Sequence, residues 1–208
     1  GEYRVGQVDI VGSVAVPAAE LVPQTRLVPG APFSSDALEA AAAAIVESYR
    51  RRGFADARVE TATTLGSPAS SGGPTPVSVR LSITEVARTT VGSVRIAGNV
   101  AVSSETLTEA LGLRPGRPFF LNQMAVDRDA IQLQYANQGY VNAAVEGNPG
   151  VSADRTRADV VFTVREGVRT TVDHVLIVGN VRIRTDVIER ELQLKAGDPL
   201  GLAAVAES

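Results

Sequence analysis

The sequence predicts an α+β fold made of tandem units, each β-α-α-β-β with two helices packed on one face of a three-stranded mixed sheet. The first observation behind this is a short alternating phrase closed by a turn, Val94-Arg95-Ile96-Ala97-Gly98-Asn99. It occurs earlier as Val8-Asp9-Ile10-Val11-Gly12-Ser13 and later as Val175-Leu176-Ile177-Val178-Gly179-Asn180. Alternation of period two is the pattern of a half-buried strand, whose successive side chains point to opposite faces. The second is the spacing, 86 and then 81 residues between copies. That is too long for a solenoid unit of roughly 20–50 residues and long enough to bury a small core. The third is a shared connector. Leu27-Val28-Pro29-Gly30-Ala31-Pro32-Phe33 is matched at Leu, Pro, Gly, Pro and Phe by Leu113-Arg114-Pro115-Gly116-Arg117-Pro118-Phe119. The chain therefore divides into units at 1–88 and 89–169 and the front of an incomplete third at 170–208.

In the first unit the opening strand is followed by a short helix over Pro17 to Val22, with Pro17 in the first turn and Pro23 expected to keep it from running far. After the connector, Ser34, Ser35 and Asp36 supply capping oxygens and negative charge at a helix start. Leu38, Ala41, Ala42, Ile45 and Tyr49 fall on one face of that helix, and Arg50 to Arg52 with Gly53 close its end. The basic run reads as a solvated helix end. Phe54 to Thr64 is expected to be a strand, Leu65 to Pro74 a loop, and Val77 to Ile83 the clearest strand of the unit.

The second unit repeats this order. Ser103, Ser104 and Glu105 start its first helix, with Leu107 and Leu111 on the buried side. Asn122 is expected to cap the second helix, whose inner face carries Met124, Ile131 and Tyr135. Val141 to Val145 reads as a strand, Pro149-Gly150 as the opening of a turn, and Asp159 to Val164 as the last strand. The spacing falls from 86 to 81 because the first unit's loop is about five residues longer, a change that surface connections tolerate. Glu85 and Glu166, near the ends of the two last strands, are 81 apart. The third copy offers its strand, a helix over Thr185 to Leu192 and the connector Lys195 to Leu200.

Composition narrows the function. Hydrophobic residues make up 44% and charged residues 21% of the chain, enough for packed cores, with only 4% aromatic and no Trp. There is no Cys, which removes disulfides and thiolate metal sites. The formal net charge of −3 gives no electrostatic reason to expect nucleic acid. The apolar run Ala40 to Val46 is far short of the roughly 20 residues a spanning helix needs.

No catalytic or metal-binding constellation emerges, and no cofactor is implied. His174 beside Asp173 lacks a second His or a Cys for a metal site and a G-x-S-x-G nucleophile for a triad, so it reads as a surface strand residue. Asp127 and Asp129 are two apart on a helix and face away from each other. Gly12, Gly30, Gly53, Gly98, Asn99, Gly116, Gly139, Gly179 and Asn180 read as turn and cap positions.

Binding is what remains. A sheet covered on one face has two edges, and unpaired N–H and C=O groups at an edge can pair with an extended segment of another chain. The strand after the second helix is the expected edge. The candidate protein-binding residues are Ala57, Arg58, Val59, Glu60 and Thr61 in the first unit and Ala143, Ala144, Val145 and Glu146 in the second.

Three matched elements carry a family resemblance. They are Val91-Gly92-x-Val94-x-Ile96-x-Gly98-Asn99, Leu113-x-Pro115-Gly116-x-Pro118-Phe119 and Tyr135-x-x-x-Gly139-Tyr140, repeated as Val5 to Ser13, Leu27 to Phe33 and Tyr49-x-x-x-Gly53-Phe54. This pattern resembles POTRA (polypeptide-transport-associated) domains across essentially the whole chain. Tandem arrays of them resemble the periplasmic arm of outer-membrane assembly proteins of the BamA and TamA type. The resemblance implies a location at the periplasmic face of the bacterial outer membrane and continuation into a membrane β-barrel. It implies partners among unfolded outer-membrane protein clients, accessory periplasmic proteins or lipoproteins, engaged partly by edge-strand pairing and without a cofactor. It also implies that the last strand of each unit is central and the second lies at an edge. Copy one departs from the pattern with Ser13 in place of Asn. A two-partner-secretion transporter or a cell-division protein would use the same fold. A KH-type nucleic-acid module also begins strand-helix-helix-strand, but it needs a G-x-x-G loop between its helices. Here that loop holds Pro-Gly-x-Pro, and the second unit balances eight Arg against eight acids.

Overall fold

A computed structural model describes residues 2–68, 73–178, 192 and 194–201. The described chain forms two compact units. The first contains β1 (Tyr3–Val11), α1 (Ala18–Thr25), α2 (Ser35–Arg51), β2 (Arg58–Leu65) and β3 (Thr75–Thr84). The second contains β4 (Thr90–Ala97), α3 (Ser104–Glu109), α4 (Leu121–Asn137), β5 (Ala144–Val151) and β6 (Arg157–Arg165). Strand order is β1-β3-β2 in one sheet and β4-β6-β5 in the other. The last strand of each unit is therefore central and the second lies at an edge. In the first sheet β3 runs parallel to β1 and antiparallel to β2, so the sheet is mixed.

The capping and periodicity arguments hold locally. Ser34 accepts from the Ala37 N–H at 3.1 Å and Ser103 from the Thr106 N–H at 3.2 Å. Ala41, Ile45 and Tyr49 of α2 are buried against Val79, Leu81 and Ile83 of β3. Leu107, Ile131 and Tyr135 are buried in the second unit with Val160, Phe162 and Val164 of β6. Met124 is half-buried.

Several boundaries differ from the sequence reading. Pro23 lies inside α1, and the helix ends two residues beyond it at Thr25, short as expected. The proline sits within the last turn of an eight-residue helix, so little helix remains to be disrupted beyond it. The helix is capped at Arg26, whose φ of 55° places it in the left-handed region. Asn122 is the second residue of α4, not its cap. Residues 54–57 form a turn where a strand was expected. The Phe54 N–H bonds the Tyr49 carbonyl at 3.0 Å and the Ala57 N–H bonds the Phe54 carbonyl at 3.2 Å, and β2 begins only at Arg58. Tyr140 and Ala143 repeat both bonds with Tyr135 and Tyr140, each at 3.0 Å. Pro149 and Gly150 continue β5, and the reversal comes at Ser152 to Thr156, tied by Asp154 to Ser152 and Thr156. Val175 to Val178 form no strand. In the first two units the first strand pairs with the last strand; no such pairing is present among the described residues of the third copy. Gly179, Asn180 and most of the helix expected over 185–192 lie outside the described residues.

Gly12 and Gly98 explain the turn that closes the repeated phrase. Both have φ of +80°, and a Cβ on either would lie 2.2 Å from a backbone carbonyl oxygen, that of Ile83 or Val164. The first strand of each unit thus meets the end of the central strand at a point only glycine can occupy. Gly12→Ala and Gly98→Ala are expected to destabilise their own units by about 2 kcal/mol or more, read as a lowered urea midpoint with an unchanged slope.

Candidate protein-binding edge strands

Two constructions repeated in both units hold the sheet edges in place. The first closes part of one edge. Val5 of β1 donates its N–H to the Ala31 carbonyl at 2.8 Å and accepts from the Gly30 N–H at 2.7 Å. Val91 of β4 does the same with Arg117 and Gly116, each at 2.8 Å. Val172 repeats it with Asp198 at 2.8 Å and Gly197 at 2.7 Å. The connector, Pro-Gly-x-Pro in the first two copies and Ala196-Gly197-Asp198-Pro199 in the third, thus lies along the start of the first strand as a short antiparallel bridge. Its glycines have positive φ, which lets the turn present its N–H inward.

The second construction is a carboxylate clamp at the end of the central strand. Glu85 accepts from the Val14 N–H at 2.7 Å, the Ala15 N–H at 2.9 Å and the Tyr49 hydroxyl at 2.6 Å. Glu166 accepts from the Val100 N–H at 2.6 Å, the Ala101 N–H at 2.7 Å and the Tyr135 hydroxyl at 2.7 Å. One side chain ties the strand-to-helix loop to the second helix. The tyrosine ring also meets the aromatic after the glycine edge-on, Tyr49 with Phe54 at 5.5 Å and Tyr135 with Tyr140 at 5.8 Å between centroids. This gives the Tyr-x-x-x-Gly-aromatic spacing its physical meaning. Partial burial pushes each carboxyl up, but the tyrosine hydroxyl and the two N–H donors outweigh it and hold Glu85 and Glu166 below their ordinary value of 4.5. Burial first, then the carboxylate, pushes both tyrosines well above 10.

Asp127 is a functional surprise of a structural kind. It is buried at 1% exposure and accepts from the Gly112 N–H at 2.7 Å, the Leu113 N–H at 2.8 Å and Gln123 Nε2 at 2.8 Å. The sequence reading that it faces away from Asp129 is correct, but the direction it faces is the core. His174 is exposed and touches its neighbour Asp173 through Nδ1 at 2.8 Å. Among the described residues no group of His, Cys, Asp or Glu could hold a metal ion.

The candidate edge residues fall into two sets. Ala57 and Ala143 are buried in the turns before the strands and are not part of any edge. Arg58, Val59, Glu60 and Thr61 lie on β2, and Ala144, Val145 and Glu146 on β5, both edge strands. The register fixes which main-chain groups are free. The Gly66 N–H bonds the Pro76 carbonyl and the Ser152 N–H bonds the Arg157 carbonyl, each in line with the antiparallel register. Because bonding alternates along a strand, even-numbered residues of β2 and β5 turn toward the central strand. Val59, Thr61, Thr63 and Leu65 turn their N–H and C=O outward. Val145, Gly147, Pro149 and Val151 occupy the same places on β5. Pro149 fits the ladder for this reason: its missing N–H would have faced the free side.

The fold is a tandem β-α-α-β-β module with clamped loops, one part-closed edge and one open edge per unit. The POTRA family, described as "Surface antigen variable number repeat", matches residues 3–86 and 89–167, and the chain belongs to that family. It is 27% identical over 187 residues to a putative outer membrane protein assembly factor of Treponema pallidum, covering 89% of this chain and 22% of that protein. It is 25% identical over 170 residues to the outer membrane protein assembly factor BamA of Nitratidesulfovibrio vulgaris, covering 80% and 21%. The chain thus spans about a fifth of the length of these relatives. Among solved structures, POTRA domains 3–5 of Haemophilus influenzae BamA align over 100% of this chain and 83% of that one, with a TM-score of 0.59 and 21% identity. BamA of Haemophilus ducreyi lacking POTRA domains 1–3 aligns over 82% and 30%, with a TM-score of 0.57 and 15% identity. At those identities the likeness concerns the fold.

The clamps set a pH dependence. A carboxyl held below 4.5 in the folded state stabilises fully above that value, and the contribution is lost as pH falls through the lower native value. The tyrosines, raised in the folded state, contribute fully below 10 and lose their contribution as pH climbs through the higher native value. Glu85→Gln and Glu166→Gln each keep an acceptor but no charge, and are expected to flatten the acid limb of the stability-versus-pH curve below 4.5. An unchanged acid limb in the double variant would show that the clamp is electrostatically idle. Asp127→Ala leaves two backbone donors without an acceptor and is expected to cost about 2–4 kcal/mol in chemical denaturation.

Proposed function

We propose that the chain is a non-enzymatic periplasmic interaction module of an outer-membrane β-barrel assembly or translocation protein. It binds client polypeptides or accessory proteins by pairing main chain at free strand edges. The family membership and the names of the relatives, both outer membrane protein assembly factors, support the setting. The observation that carries the binding mode is the edge itself, where alternate residues of β2 from Val59 to Leu65 turn their main chain away from the sheet. Such pairing draws affinity from backbone bonds and so accepts many client sequences.

The same reading takes 1–88 and 89–169 as complete domains and 170–208 as the front of a third. The Val172 bonds to Gly197 and Asp198 support the third start, because they repeat the first-strand-to-connector contact of the other two. The parent protein continues into a membrane barrel, and the partners are unfolded outer-membrane proteins, periplasmic accessory proteins or lipoproteins.

Amide hydrogen exchange tests the binding mode. A peptide copied from one strand of an outer-membrane barrel is added to the chain. The outward amides of an edge, Val59, Thr61, Thr63 and Leu65 or Val145, Gly147 and Val151, are expected to slow at least tenfold, while Glu60, Ala62 and Thr64 stay as they were. Peptide binding that leaves every outward edge amide unprotected would remove the mechanism.

A further inference from the structure

We infer that the two units are not equivalent in this role: β2 of the first unit accepts an added strand and β5 of the second does not. The strand β2 takes is amphipathic, with an apolar side chain at every second residue. The inference rests on the edge-pairing reading and adds to it the site, the register and the chemistry of the occupant.

Equivalent positions in the two edges carry different residues. Thr61 corresponds to Gly147 and Thr63 to Pro149, each 86 residues on. From Arg58 to Leu65, β2 contains neither Gly nor Pro, so its outward N–H groups form an unbroken row. On β5 the same row is interrupted in the middle by Pro149, which has no N–H to give. Gly147 next to it contributes no side chain to an added strand. Beside this row, Glu146 pairs with Arg165 across the exposed face.

The face above the edge differs as well. Odd-numbered residues of β2 share the face of Val59, which packs on the core, and their partners Val77, Val79, Leu81 and Ile83 on β3 are all buried. Yet Thr61, Thr63 and Leu65 are exposed, Leu65 at 62%. Beside a covered central strand these three side chains form an exposed shelf of two threonine methyls and a leucine. In the second unit the shelf is partly occupied at its start, while Val151, the equivalent of Leu65, is still 46% exposed. The Cβ position of Gly147 lies 3.1 Å from Phe162 and 3.4 Å from Met124 of α4, and Val145 is buried. Phe162 and Met124 thus stand where a side chain at Gly147 would lie, so this edge offers an added strand less apolar surface than β2 does.

An occupant of β2 places the residues opposite Thr61, Thr63 and Leu65 on this shelf, and the intervening ones beside Arg58, Glu60 and Ala62 on the solvent face. Apolar residues belong on the first set and polar ones on the second. The occupant is therefore an extended polypeptide segment with period-two hydrophobicity.

The absence of native cysteine makes the test direct. Ala62→Cys on β2 and Asn148→Cys on β5 are equivalent single-cysteine variants of the full chain. Each is mixed with a peptide of about ten residues that alternates valine with threonine or lysine. One polar position of the peptide carries cysteine as a mixed disulfide with thionitrobenzoate, so every cross-link releases one coloured thiolate. The expected result is at least tenfold faster cross-linking at Ala62→Cys than at Asn148→Cys. A peptide of the same composition in scrambled order is expected to lose that advantage. Adding Thr63→Pro, the residue that the other unit already tolerates in this ladder, should cut cross-linking at Ala62→Cys at least tenfold while the melting temperature stays within a few degrees. Equal cross-linking at both strands overturns the asymmetry and leaves edge pairing standing. Cross-linking at neither overturns both. In a second arm half of the Ala62→Cys chain carries the same thionitrobenzoate mixed disulfide, so each chain dimer formed by exchange also releases one coloured thiolate. Dimers forming faster than peptide adducts would make a second copy the occupant and overturn the client reading.

Discussion

Every strand edge in a small sheet carries a row of main-chain groups that something must satisfy. A three-stranded sheet with its last strand in the centre has two such rows. The connector lies against the start of the first strand and takes up the N–H and C=O of Val5, Val91 and Val172. In the first two units the chain leaves the first helix, turns sharply and returns beside the strand, which is what a Pro-Gly-x-Pro sequence with a positive-φ glycine provides. The connector covers the start of that edge only, whereas among the described residues the second strand has no such partner segment along its outer side. The location of the candidate binding edge is thus a consequence of how the repeat satisfies its other edge.

The clamp serves the same architecture from the opposite end. At the end of the central strand the chain has no further strand to pair with, while the strand-to-helix loop presents two N–H groups with no helix to receive them. Glu85 and Glu166 satisfy both and also accept from the Tyr49 and Tyr135 hydroxyls. The turn before the second helix is handled less uniformly. In the second unit buried Asp127 holds the Gly112 and Leu113 N–H groups. At its place in the first unit stands Ala41, and Thr25 supplies an acceptor for the Leu27 N–H at 3.2 Å. One local requirement is met by two unrelated side chains.

What could be read from the sequence follows from the range of each interaction. Ser34 and Ser103 were legible as caps because the donor they satisfy is three residues away. The strand order was legible through the family pattern and the strict alternation of Val77 to Ile83. The clamp was visible only as fragments, a tyrosine before a glycine and a glutamate after a strand, because 36 residues separate Tyr49 from Glu85. Asp127 was read by its neighbour Asp129, whereas its partners lie 14 and 15 residues back. Pro149 was read as a turn because proline interrupts a ladder from one side only, and a single sequence does not say which side of the strand its nitrogen faces. Ala57 and Ala143 were placed on the edge by alternation that begins, in the fold, one residue later.

The two units of one chain allow a comparison in which solvent, compartment and history are shared. Positions that the fold needs agree between them: Gly12 with Gly98, Tyr49 with Tyr135, Glu85 with Glu166, and both connectors. The edge strand is where they part, Thr61 against Gly147 and Thr63 against Pro149. Threonine favours a strand, while glycine and proline disfavour one, so stability of the module does not account for the change. A free edge that is never used is a liability, and proline is a standard means of blunting it. An unblunted Thr-rich edge in the first unit, beside a blunted one in the second, is the pattern expected when pairing is wanted at one place along the array and suppressed at the next.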